Sequence, residues 1–296
     1  MNKPELLSTI VRFRVQKNYH DFGYLGRQTQ AWFLREVRRH DISLSDHLHN
    51  VEAGPQAVKS LLRPYTISTL YKGQHPAREL RAGDWVWLRI TSLTQPLSEF
   101  LTEKVLPELL PEAEFSPITL EVEQWPSGNG GSANTSVTTY AELMRKAIQS
   151  EERNLTLEFL SPTTFRQKNL LSNIEKDVPL PLPDKLFGSY ISHWSAFSGA
   201  EVPDEYGEFL EECIGIKQLN IHSERVQFSR DNPRDAANGF LGQTCFTILG
   251  NKRKSRFKAN WEHYANLTRM FFLFSFYCGS GRKTTRGLGQ TAPRGL

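Results

Sequence analysis

The order in which hydrophobic periodicities follow one another limits the fold of this chain more than any other feature. Leu7 to Val15 alternates, with Val11, Phe13 and Val15 on one face and Arg12 and Arg14 on the other, which is the period of a strand. Leu25 to Arg39 has helical spacing through Leu25, Trp32, Phe33 and Val37, with Arg27, Arg35, Arg38 and Arg39 at polar positions. Tyr65 to Tyr71 and Trp85 to Leu93 read as strands, the second opened by the turn signal Gly83-Asp84. Pro96 to Leu109 reads as a helix and Ile118 to Trp125 as a strand. The order β-α-β-β-α-β is that of a ferredoxin-like, or RRM-like, unit.

The second half repeats the theme without repeating the sequence. Pro126 to Ser136 is rich in Gly, Ser and Asn and reads as a surface loop or linker. Tyr140 to Gln149 is helical and bridges onward. Leu155 to Leu160 is a strand, and Pro183 to Phe197 is a helix with Pro at its start and Gly199 past its end. Ile214 to Phe228 and Phe240 to Leu249 read as strands, and Arg256 to Phe274 as a long helix. A chain of 296 residues has room for two domains. The expectation is therefore an α+β protein of two tandem ferredoxin-like (RRM-like) domains, residues 1–138 and 139–296. Doubled sheets of this kind present open platforms to single-stranded RNA.

Where the last strand of the second unit should follow stands Gly279-Ser280-Gly281-Arg282-Lys283-Thr284-Thr285-Arg286-Gly287-Leu288-Gly289. Two G-x-G units flank five residues, three of them cationic. Gly279, Gly281, Gly287 and Gly289 let a backbone bend sharply and approach another polymer. Exposed N–H groups in such a bend suit phosphate oxygens, and Arg282, Lys283 and Arg286 add full charge. The apolar run Met270 to Tyr277 in front of it reads as buried, which argues against a loose tail. A P-loop is excluded by spacing, since Gly281-Arg282-Lys283-Thr284 lacks the upstream glycine and the helix precedes the loop. A dinucleotide fingerprint lacks its third glycine and its downstream acid.

Charge points the same way. The chain carries a formal +4, but from Gly250 onward ten basic residues face one acid, Glu262, so this segment carries +9 and the remainder −5. Basic charge gathered at one end is a nucleic-acid footprint, and Lys252, Arg253, Lys254, Arg256 and Lys258 lead into the long helix as further RNA-binding candidates. Cys213, Cys245 and Cys278 are odd in number and without a C-x-x-C pair, so neither a disulfide framework nor a zinc site is expected, in keeping with a reducing cytoplasm. No signal-peptide layout opens the sequence, and its longest apolar run, Met270 to Cys278, is too short for a bilayer. The expectation is a cytoplasmic protein without membrane, metal or cofactor.

An ordered set of motifs resembles the CRISPR-associated precursor-RNA endoribonucleases of the sixth Cas family, in the RAMP superfamily. The family's C-terminal G-h-G-x5-G-h-G loop is matched by Gly279 to Gly289, except for Ser280 at the first hydrophobic place. Tyr24-Leu25-Gly26 running into Ala31-Trp32-Phe33-Leu34 is similar to the family, as is Leu44-Ser45-Asp46-His47-Leu48-His49 followed by Tyr65-Thr66-Ile67-Ser68. So is Leu157-Glu158-Phe159-Leu160-Ser161-Pro162-Thr163-Thr164-Phe165-Arg166, leading to Pro179-Leu180-Pro181-Leu182-Pro183 and His193-Trp194. The resemblance implies two ferredoxin-like domains that bind the repeat of a CRISPR transcript and cut it once, leaving a 5′-hydroxyl and a 2′,3′-cyclic phosphate. Partners would be precursor and mature guide RNA and other Cas proteins of an effector complex.

Cleavage without metal uses the substrate's own 2′-OH as nucleophile. It needs a base, an acid for the departing 5′-oxygen, and cations for the phosphorane charge. The resemblance places the general acid/base at His49, with His47 two residues away as its rival. Arg63, just before Tyr65-Thr66-Ile67-Ser68, is the candidate cation and Lys59 its alternative. Some members use a tyrosine in the first helix; this chain has Trp32, Phe33 and Leu34 there, and Gln30 is a further polar candidate. Arg166 would contact RNA from its loop, whereas Trp85, Trp87 and Trp125 read as core or sheet residues. The alternative function is a non-catalytic RNA-binding RAMP subunit, which needs the glycine-rich loop but no acid/base histidine.

Overall fold

A computed structural model of the chain describes residues 3–20, 22–49, 62–123, 134–168, 173–229, 232, 234–250 and 255–295. The chain forms two compact units. One comprises Met1–Thr138, Val226–Ala236 and Lys283–Leu288, the other Thr139–Arg225, Ala237–Arg282 and Gly289–Leu296.

The first unit is built on β1 (Leu6–Arg14). Both parities of its side chains are buried from Leu6 to Val11, and alternation begins only at Arg12. A strand buried in this way belongs in the middle of a sheet, and β1 pairs antiparallel with β5 (Trp85–Ser92) on one side and β7 (Thr119–Val122) on the other. Between them in sequence come α1 (Gly26–His40), α2 (Ile42–His49), β2 (Tyr65–Ile67), β3 (Tyr71–Lys72) and β4 (His75–Pro76). After β5 follow α3 (Gln95–Phe100) and the short β6 (Glu112–Glu114), and β8 (Ser136–Thr138) closes against β1. The sheet order β4-β3-β5-β1-β7-β6, with β2 also on β5, contains the ferredoxin-like order of its four main strands. Phe13, Trp32 and Phe115 meet edge-on or tilted, with ring centroids 5.3 to 5.7 Å apart, and join α1 to the sheet.

Two departures from the sequence reading have local causes. The single helix expected over 96–109 is α3, then a π-turn at Leu101–Val105, then a 3-10 turn at Leu106–Glu108. Pro107 has no N–H to donate, so the α ladder cannot continue through it. Helix α2 was not expected, and it matters more. Asp41 ends α1 and at once caps the next helix, its Oδ1 accepting the Leu44 N–H at 2.8 Å. Ser45 Oγ donates to the Leu34 carbonyl at 2.9 Å and Leu48 is buried. The far end of α2 is thereby fixed against α1, with His49 exposed at its last turn.

The second unit repeats the topology. It begins with α4 (Tyr140–Gln149), whose N-cap Thr139 accepts the Glu142 N–H at 3.1 Å, and β9 (Asn154–Thr163), in which Leu155, Leu157 and Phe159 are buried. The hairpin of β10 (Phe165–Lys168) and β11 (Glu175–Val178) follows, then α5 (Pro183–Phe197) and α6 (Glu205–Cys213). Strands β12 (Ile214–Gln227) and β13 (Ala236–Ile248), α7 (Trp261–Cys278) and β14 (Thr291–Arg294) complete it. Its sheet order is β12-β13-β9-β14, the same arrangement as in the first unit. The chain is thus α+β with two tandem ferredoxin-like domains. The closing strand β14 has four residues and lies at the sheet edge, where Pro293 is tolerated. No helix among the described residues is long and apolar enough to cross a membrane.

Candidate active site

The glycine-rich segment is distributed between the units, and in each the close approaches it makes are to the chain's own backbone rather than to open space. In the second unit Gly281 has φ +75°, and a Cβ there would lie 2.3 Å from the Thr164 carbonyl oxygen. Its N–H donates to Ser189 Oγ at 3.1 Å, and the Arg282 N–H to Thr164 O at 3.0 Å. The Arg282 guanidinium is paired with Asp177 at 2.8 Å. In the first unit Gly287, at φ +85°, donates to the Ile67 carbonyl at 3.0 Å, and its own carbonyl accepts Tyr24 Oη at 2.7 Å. Lys283 reaches Asp235 at 3.3 Å and lies 3.9 Å over the ring of Phe228. Glycine is required where the space is already filled by main chain.

These anchors seat the 3-10 turn Thr284–Arg286 against α1 and β2 of its own unit, and Arg286 turns toward a polar cluster there. Arg286 Nε donates to Gln30 Oε1 at 3.3 Å, and Gln30 Nε2 donates to the hydroxyl of Tyr65 at 3.2 Å. Tyr65 is buried, and burial pushes its phenol above the usual range against the opposing effect of the Gln30 hydrogen bond. Arg63 Nη2 donates to the carbonyl of His49 at 2.6 Å, tying the candidate cation to the last turn of α2. Burial lowers the pKa of Arg63, with Tyr65 opposing this and the nearby positive charge of Arg286 adding to it. Arg286, Gln30 and Tyr65 thus form a hydrogen-bonded chain, and Arg63 is bonded to the main chain of His49. His47 is exposed on the same helix, but two residues along an α-helix turn through about 200°, so it points away from the side His49 faces.

The other predicted residues are scattered. Arg166 is exposed on β10 and paired with Glu175 at 2.7 Å, and Arg256 is paired with both Glu208 and Glu212 at 2.6 Å. Lys258 is exposed. Lys59, Lys252, Arg253, Lys254 and Trp125 lie outside the described residues. Trp85 and Trp87 are sheet residues of β5: Trp85 is 46% exposed under the Arg14 guanidinium, and Trp87 is stacked on Tyr71. Among the described residues no group of three or more His, Cys, Asp and Glu could hold a metal ion. Tyr65 and Tyr24 stand within motifs that resemble the family, but the sequence assigns neither hydroxyl a polar role. Both look like ordinary apolar positions, and only the partners of their hydroxyls reveal a polar task.

Comparison with known proteins agrees with this architecture. The family model of the CRISPR-associated endoribonuclease Cas6 matches residues 157–291. No curated protein sequence is matched. Cas6 of Thermus thermophilus is 20% identical, with a TM-score of 0.66, over 99% of this chain and 100% of that one. A Cas6 product complex is 21% identical, with a TM-score of 0.71, over 98% and 99%. The structure of a Cas6-related gene product from Pyrococcus furiosus, 13% identical, is similar at a TM-score of 0.58 over 99% and 98%. Residues 157–291 are thus similar in sequence to the CRISPR-associated endoribonuclease Cas6 family, and the fold of the chain is similar to that of solved Cas6 structures.

Proposed function

We propose that this chain binds the repeat of CRISPR precursor transcripts and cuts it once per repeat without metal, yielding mature guide RNA. In the reaction the 2′-oxygen attacks the adjacent phosphorus as a base takes its proton. The bond from phosphorus to the 5′-oxygen breaks, and an acid protonates that leaving oxygen. The products are a 2′,3′-cyclic phosphate and a 5′-hydroxyl. His49 is the general acid/base, histidine being the side chain most often used in that role. Arg63 stabilises the charge that builds on the phosphorane oxygens. Arg282, Lys283 and Arg286 of the glycine-rich segment, with Arg166, Arg256 and Lys258, are the RNA-holding cations.

One observation supports this reading: the Arg63 guanidinium is hydrogen-bonded to the main chain of His49 itself, which ties the proposed cation to the residue proposed as acid/base. The test is cleavage of a labelled repeat RNA from the source's own array in EDTA. Wild type should cut once. His49→Ala, or a 2′-deoxy nucleotide at the cut site, should abolish cutting while binding persists. Tight binding of the repeat with no cutting by wild type would replace the nuclease by the non-catalytic RNA-binding subunit.

A further inference from the structure

We infer that Arg286 is a second catalytic cation, and that it forms with Arg63 a two-guanidinium clamp on one phosphate, set in place by Gln30 and Tyr65. This rests on the nuclease reading for the identity of that phosphate, and on the geometry for the clamp itself.

The argument begins with unbalanced charge. Two cations of the first unit that lie near the glycine-rich segment share one carboxylate: Arg27 and Lys283 both reach Asp235, at 3.0 and 3.3 Å. Arg63 and Arg286 differ. Their side-chain partners among the described residues are neutral, the His49 carbonyl for one and the Gln30 amide oxygen for the other. Each guanidinium is oriented by a neutral acceptor, and β2, which Arg63 leads into, packs against the turn Thr284–Arg286, so a bound anion would balance both charges. A phosphodiester bears one charge and two non-bridging oxygens, which matches two forks of N–H donors.

The orientation of Arg286 is also specified. Gln30 could present either end of its amide to Arg286. Because its Nε2 donates to the Tyr65 hydroxyl, its Oε1 is the atom left to face Arg286 Nε. The Nε edge is thus engaged, and among the described residues no partner takes the two terminal nitrogens, which can meet a ligand. Gln30 and Tyr65 are positioning residues. They act through Arg286 and need not touch RNA.

Single-turnover cleavage at saturating enzyme tests this, beside melting of the free protein in sulfate against chloride at equal ionic strength. Arg286→Ala should lower the saturated rate about 100-fold, and added guanidinium should recover part of the loss. Arg286→Lys should retain more activity than Arg286→Ala. Sulfate should raise the melting temperature of wild type more than that of Arg63→Ala or Arg286→Ala. Gln30→Glu, which places a carboxylate beside Arg286, should remove the sulfate effect as well. A saturated Arg286→Ala rate within threefold of wild type, with only the affinity weakened, overturns the clamp and leaves the nuclease reading intact. A wild type that never cuts, yet shows a sulfate response dependent on both arginines, overturns the nuclease reading and leaves the clamp. If neither cutting nor that response is seen, both fail.

Discussion

Tyr65 and His193 show how burial decides what a titratable side chain can do. The Tyr65 phenol is pushed up by burial, so it stays protonated across the working range and serves as a fixed anchor for the Gln30 amide. Tyr65→Phe should cost about 1 kcal/mol of positioning, or about fivefold in the cleavage rate, while the alkaline limb of the pH–rate profile stays where it is. An alkaline limb that moves with the substitution would make Tyr65 an acid or base instead. His193 on α5 is buried, and burial pushes its pKa below the usual value, opposed by a hydrogen bond between Nδ1 and the Ser189 carbonyl at 2.9 Å. The folded state therefore prefers the neutral ring. Its contribution is intact above the unfolded-state value near 6.5 and is lost as pH falls below it, at no more than about 1.4 kcal/mol per pH unit. The melting temperature should fall from pH 7.5 to 5.5, and His193→Gln should flatten that fall.

Among the elements, the turn Thr284–Arg286 depends on the absence of a side chain at the start of α1. A Cβ on Gly26 would lie 1.8 Å from the Arg286 carbonyl oxygen, a main-chain atom with no rotamer to change. Gly26→Ala should therefore displace the turn and Arg286 with it. Expected are a native-like far-UV spectrum, a melting temperature lower by several degrees, and a cleavage rate at saturating RNA reduced at least as much as in Arg286→Ala. An active Gly26→Ala enzyme would mean that the turn moves without consequence. Much of this level was legible in the sequence. The alternation of Leu155, Leu157 and Phe159 and the Pro-initiated helix at Pro183 led to β9 and α5 because periodicity is a local property. Helix α2 was missed although it carries His49. Its eight residues are too few for a periodic signal, and its one clear sign is the Asp41 cap. The role of the glycines was half legible: their need for tight backbone was plain, but not whose backbone would fill the space.

Over the whole chain, counting charge proved a poor guide to free charge. The C-terminal segment is strongly basic in sequence, yet Arg256 meets Glu208 and Glu212, Arg282 meets Asp177 and Arg294 meets Glu158. Those acids stand far away along the chain, so no reading of the basic segment alone could foresee the pairing. It follows that RNA must compete with carboxylates for these cations, and that the salt dependence of binding should reflect fewer phosphates than the number of basic residues. Each engaged phosphate contributes about 0.7 to the slope of log affinity against log salt for a single strand. Asp177 makes the point testable, because its removal frees Arg282 within the second unit. The pair is partly exposed, so its loss should cost at most about 1 kcal/mol of stability. If Arg282 is an RNA-holding cation, Asp177→Asn should tighten repeat binding at low salt and steepen the slope by about 0.7. If Arg282 serves only to fix the glycine-rich segment to its unit, the same substitution should lower the melting temperature and leave both affinity and slope unchanged.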